Sequence, residues 1–385
     1  DSAMDSLTCS QATRWTRIGV LAAFALVLGY IETFIPIPIP GVKLGLANIA
    51  ILLCFIRLDA GAALFVTLIK VLAQGLLFGS PLTFAYSLTG SLFAFAVMAL
   101  TVRIPGMHPI MVSILGAVSH TAGQMLVAAM LLGTRFVWLA APVLAVAAII
   151  TGAVCGVLAV RIDHAIDSVP AASADAVPSL ELADLPEQSS SPVGVLLAAF
   201  LVFAVLVIIQ GELAPLGAMF LLALLACIIL RVKPAVFARG FRAFAVLFLV
   251  SAVAAIANNQ QGDVLAHVGG IAITAEAAES IAVMGFRLGA VMAASVAVMA
   301  RVGQQDLLAF TVRTARRLER RGINTQGPLL ALNVCLQTLP VLASGVEAQG
   351  ASGLGRGLVA AIADAYAQAE QLAVALATTA GEGAA

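Results

Sequence analysis

The chain has 385 residues, of which 62% are apolar and 10% charged, against an apolar share of about 45–50% and a charged share of about 25% in soluble globular domains. That balance excludes a water-soluble fold, and the formal net charge of zero gives no global attraction to nucleic acid or to an acidic substrate. Five cysteines, Cys9, Cys54, Cys155, Cys227 and Cys335, show no C-x-x-C and no zinc spacing. They are expected to be small apolar packing residues, with no disulfide framework, metal site or cofactor implied.

Residues 1–16 form a polar tail without the basic start and cleavage site of a signal peptide, so the first apolar segment is expected to be retained. A window of about 19 residues then places about six spans at 17–35, 45–56 with its flanks, 60–78, 81–102, 109–132 and 137–160. Arg14, Arg17, Arg57, Arg103 and Arg161 fall on one side of that arrangement, and Lys43 and Arg135 on the other. The excess of arginine puts both ends of the 17–161 unit in the cytoplasm of a multi-pass cell-membrane protein.

Polar groups entering these spans cost a few kcal/mol each and should face the bundle interior or a wet cavity. They are Glu32, Lys43, Asn48, Lys70, Gln74, His120 and Gln124. Glu32 precedes a run with Pro36, Pro38 and Pro40, rigid extended backbone that is tolerated where it lines a cavity or leaves the membrane. Lys70 and Gln74 share a helix face at a spacing of four, as do His120 and Gln124. Two readings stand: a solute pocket built from Glu32, Asn48, Lys70, Gln74, His120 and Gln124, or interhelical contacts worth about 0.6 kcal/mol each. Lys43 either joins the pocket or reaches outward to the interface. Gly19 and Ala23 have the small-xxx-small spacing of a close helix contact, made either within this bundle or with the second half.

Residues 162–192 form an acidic strip rich in proline and serine, with a composition that cannot bury enough apolar surface to order itself. As a flexible tether of about 30 residues it would reach roughly 30 Å on average. Beyond it, residues 193–385 show four further spans at 193–209, 213–230, 241–257 and 277–300, with Arg231, Lys233, Arg239 and Arg242 on the inner side. Residues 304–321 are amphipathic, Leu307, Leu308, Phe310, Val312 and Leu318 alternating with Arg313, Arg316, Arg317, Arg320 and Arg321. A basic amphipathic helix of this kind lies on anionic lipid or docks on a protein.

The run 273–353, from ITAEAAESIAVMGFRLG through TARRLERRGINTQGP to GVEAQGASG, resembles the transmembrane T component of energy-coupling factor (ECF) transporters. That likeness implies cytoplasmic coupling helices seated on separate ATP-binding subunits, with Arg313, Arg316, Arg317, Arg320 and Arg356 as coupling residues. Where the family carries an Ala-Arg-Gly or Ala-Arg-Ser signature, this chain has Ser352, and Arg356 stands four residues on. Serine lacks the forked permanent charge of arginine, which puts engagement of a standard ATPase in question. Residues 17–161 resemble the Gx transporter family, also labelled heptaprenyl diphosphate synthase component I and related to the solute-binding S components. The residues that carry this are GVKLGLANIA at 41–50, FGSP at 78–81 and SILGAVSHTAGQ at 113–124.

No G-x-x-x-x-G-K-[ST] occurs, so ATP hydrolysis would need other subunits. No D-D-x-x-D pair that would hold magnesium and diphosphate is present either, and the chain is not expected to be an enzyme. The expectation is an all-α polytopic bundle, a transport component of ECF type that binds and moves a small vitamin-like or isoprenoid- or flavin-related solute. The alternatives are a non-catalytic membrane component of polyprenyl diphosphate or quinone synthesis, and a scaffold in a membrane redox assembly.

Overall fold

The computed structural model describes residues 9–32, 45–78, 81–132, 135–168, 192–259, 263–268, 271–302, 304–322 and 324–348. Pro36, Pro38, Pro40, Lys43, Ser352, Arg356 and most of the acidic strip lie outside the described residues.

In hydrocarbon a lone segment satisfies its own backbone as a helix, and the described chain is helical almost throughout. The first half comprises α1 (Cys9–Glu32), α2 (Asn48–Arg57), α3 (Ala60–Phe78), α4 (Pro81–Thr101), α5 (Pro109–Leu132), a short 3-10 helix (Arg135–Ala140) and α6 (Ala141–Ser168). The second comprises α7 (Val193–Ile209), α8 (Leu213–Ile229), α9 (Pro234–Asn258), α10 (Ala275–Arg301), α11 (Gln304–Glu319) and α12 (Gln326–Ala348). An antiparallel hairpin, β1 (Val264–Val268) with β2 (Ile271–Thr274), fills the expected loop before α10. Thr274 caps α10, its hydroxyl oxygen accepting from the Ala277 N–H at 3.2 Å. The all-α polytopic expectation holds: Thr13–Glu32, Phe84–Thr101, Pro109–Leu132, Val137–Asp167 and Ala275–Arg301 are each long and apolar enough to cross a membrane.

Three elements depart from the expected spans. The segment at 45–56 is a ten-residue helix, rising about 15 Å and therefore crossing only half of a ~30 Å hydrocarbon layer. The turn before it begins at Gly45, whose φ of +70° suits a residue without Cβ, and the helix stops where Asp59 caps α3 by accepting from the Ala62 N–H at 2.9 Å. Helix α6 continues to Ser168, past the point where the tether was expected to begin. Its last turns are held by Arg57, whose Nε lies 2.6 Å from Asp163 Oδ1 and whose Nη2 lies 2.8 Å from Asp167 Oδ1.

The third departure is α12. It was expected in the cytoplasm as part of a coupling lever, yet Leu330, Ala331, Val334 and Cys335 are buried in one core with Leu21, Phe24, Ile49, Val66 and Ile162. Glycine makes this possible. A Cβ at Gly19 would sit 2.6 Å from the Ala331 carbonyl oxygen and 2.8 Å from Val334 Cβ, and one at Gly327 would overlap the Trp15 indole. Residues 15 and 19 thus meet 327 and 331, so α12 runs parallel to α1 with backbones in close approach. Of the two readings of Gly19, contact with the second half is the one the structure adopts.

A second core joins the halves again. Met125, Leu131 and Leu132 of α5 pack with Val207 of α7, Leu216 of α8 and Met284, Leu288 and Val291 of α10. Large apolar side chains left exposed, such as Val143, Val146 and Ile150 on α6 and Leu221, Leu222 and Ile229 on α8, suit lipid contact.

Candidate functional site

Four elements converge beside the half-helix. Glu32 ends α1, and its Oε1 accepts the Gly45 N–H at 2.7 Å. That bond ties the top of α1 to the turn that starts α2. Asn48, the first residue of α2, is buried beside this turn, and a Cβ on Gly45 would sit 3.1 Å from its Nδ2. Its Oδ1 accepts from Lys70 Nζ at 2.8 Å. Lys70 comes from α3 and is only 4% exposed. Cys155 of α6 is buried in the same core as Ile49 of α2 and Val66 of α3.

Lys70 is ten residues into α3 from Ala60, so about 15 Å along the helix from the Asp59 turn. A buried cation within an apolar span is expensive and marks a ligand or ion path by default. Here it donates to the Asn48 amide oxygen, and the N-terminal end of α2 beside it is itself positive and adds to the positive potential of the site. A ligand offering an acceptor to Lys70 and a donor to Glu32 would meet matched groups.

Sequence reasoning thus identified Glu32, Asn48 and Lys70, which come together. Gln74 lies one turn beyond Lys70 on α3, with its side chain outside the described residues. His120 and Gln124 share a face of α5 as expected, and that face presses on α4: a Cβ at Gly90 would lie 3.0 Å from His120 Cε1 and 2.9 Å from Gln124 Cγ. The contact described for the pair is thus with the α4 backbone at Gly90. Cys54, Cys155, Cys227 and Cys335 are buried free thiols, in line with their expected role as packing residues.

The opposite end of the same bundle is ionic. Arg14 Nη2 is 2.8 Å from Asp59 Oδ2, and with the Arg57 pairs this gathers the start of α1, the α2–α3 turn and the end of α6 at one end. Partial burial of Asp59 works against its ionisation, but the Ala62 N–H bond and the Arg14 guanidinium outweigh it and hold the carboxyl below its usual range.

Residues 21–162 match the family Heptaprenyl diphosphate synthase component I. The matched stretch runs from within α1 to the last turns of α6 and contains Glu32, Asn48, Lys70, His120 and Gln124. It stops short of α7 to α12. No curated protein and no solved structure shows significant similarity to the chain.

On α11 and the turn after it, Arg316, Arg317 and Arg320 are exposed and Arg313 is partly covered, while Ala309 and Val312 are buried. Phe310 packs near Gly194, tying the helix to α7. The amphipathic expectation for this segment is realised. Sequence reasoning missed one buried group, Arg287 on α10, although an arginine inside an otherwise apolar span was signal enough.

Proposed function

We propose that the chain is a non-catalytic membrane component of polyprenyl diphosphate synthesis. Its first-half module, residues 17–161, would hold a small amphiphilic ligand for a separate catalytic subunit. The observation that carries this reading is the buried Lys70–Asn48 pair beside Glu32, inside a stretch that matches component I of heptaprenyl diphosphate synthase. The Lys70 cation suits an oxygen acceptor on a polar head, a donor on the same head would meet Glu32, and the surrounding apolar helices suit a hydrocarbon tail. The sequence lacks the paired aspartate clusters that prenyl transfer needs. The arginine-rich end, with Arg14 and Arg57, is the cytoplasmic one, and the 162–192 strip lies on that side.

A second reading, ECF-type solute transport, is favoured by one observation. Helix α12 lies along α1 at Gly19 and Gly327, so a push on α11 or α12 would reach the ligand-holding module directly. Under this reading ATP-binding subunits would engage Arg313, Arg316, Arg317 and Arg320, with Arg356 in place of the arginine absent at Ser352, and would move a small vitamin-like or flavin-related solute.

Affinity purification of the tagged full chain from native membranes separates the two. Co-purification of a soluble prenyltransferase without ATPases supports the first reading, and recovery of ATP-binding subunits moves the assignment to the second. Flavoproteins alone would overturn both in favour of a redox scaffold.

A further inference from the structure

Arg287 sits near the middle of α10 and is 9% exposed. Its Nε and Nη2 both donate to one acceptor, the backbone carbonyl of Gln210, at 3.2 and 2.6 Å. Gln210 closes α7, and the α7–α8 connection passes through Gly211 and Glu212. Among the described residues no carboxylate pairs with Arg287 and no charged group acts on it. Glu212, two residues beyond Gln210, is exposed. A neutral carbonyl at a helix end does orient a guanidinium, but it does not neutralise one, and burying an uncompensated charge within an apolar bundle is costly.

Two further features point to an absent partner. The Nη1 group makes no hydrogen bond and is not among the sealed polar atoms. Beside Gln210, a Cβ at Gly211 would meet nothing within 4 Å, so open space adjoins the carbonyl that holds the arginine. Phe286, the residue before Arg287, packs on Phe220, whose ring stands over Gly289 one turn along α10.

We propose that Arg287, fixed by the Gln210 carbonyl, is the anchor of an anion-binding site between the α7–α8 connection and α10, taking a phosphate or carboxylate group through its free Nη1 edge. The fork of arginine suits such planar or tetrahedral oxyanions. This site is separate from Lys70 and does not depend on which reading of the first module holds.

The test uses purified full-length protein in a neutral detergent, titrated with dioctanoyl phosphatidic acid, dioctanoyl phosphatidylcholine and inorganic phosphate, and read by thermal shift and native mass spectrometry. Saturable binding of phosphatidic acid, with none of phosphatidylcholine, indicates a lipid headgroup. Saturable binding of inorganic phosphate indicates a free anion; both outcomes support the site. Arg287→Gln should lose at least ten-fold in affinity, and Arg287→Lys, which keeps the charge without the fork, should fall between. Gly211→Phe fills the open space without touching the arginine and should weaken binding in protein that folds normally. No saturable anion binding by the wild type, or undiminished binding by folded Arg287→Gln or Gly211→Phe, overturns the proposal.

Discussion

Replacing Gly19 with leucine strikes the contact that joins the two halves of the chain. A Cβ there would lie 2.6 Å from the Ala331 carbonyl oxygen and 2.8 Å from Val334 Cβ. The first is backbone, so α12 must move as a body, and leucine adds three further carbons in the same direction. Overpacking of this kind costs about 1–3 kcal/mol, a loss of roughly 5- to 150-fold in the equilibrium between docked and undocked α12. Cys335, 1% exposed on α12, reports it. In a variant whose other cysteines are replaced, maleimide should label Cys335 faster in Gly19→Leu than with Gly19 by a factor in that range, with Gly19→Ala between them. Equal labelling and an equal melting temperature would show that α12 does not depend on α1, and would remove the coupling argument with it.

Three further outcomes follow from the ionic and polar contacts. Asn48→Ala takes the amide oxygen away from the buried Lys70 ammonium and should destabilise by about 1.5–3 kcal/mol, whereas Lys70→Met removes the charge and should cost less; adding Lys70→Met to Asn48→Ala should restore part of the loss in thermal unfolding. Arg57→Ala releases Asp163 and Asp167, and because Asp167 is 67% exposed the expected loss is about 1–2 kcal/mol, with earlier proteolysis at the end of α6 as the sign. Asp59 has a lowered folded-state pKa, so its contribution is present above the ordinary carboxylate value and disappears as pH falls through the lower folded value. Stability measured from pH 5 to pH 2 should therefore decline less in Asp59→Asn than in wild type.

Some of the fold could be read directly. Continuous apolar windows located α3, α4, α5 and α10 within a few residues, because a helix in lipid must be apolar along its length and ends where charge begins. Two helix starts were written locally, at Asp59 and Thr274, where an oxygen-bearing side chain caps the first turn. The half-helix escaped this reading. Ten apolar residues look like part of a longer span until the turn at Gly45 shows where the helix begins.

Composition alone determined that this chain is a helical membrane protein, and intramembrane polarity alone singled out Glu32, Asn48 and Lys70, since lipid penalises a polar group wherever the chain puts it. Which of those groups meet was decided only in three dimensions. Glu32 and Asn48 converge because the chain turns back at Gly45, and Lys70 reaches them because α3 returns beside α2. The placing of α12 against α1 likewise rests on two glycines over 300 residues apart. No local pattern encodes a contact at that separation; it depends on both backbones coming close enough that a single added carbon would not fit.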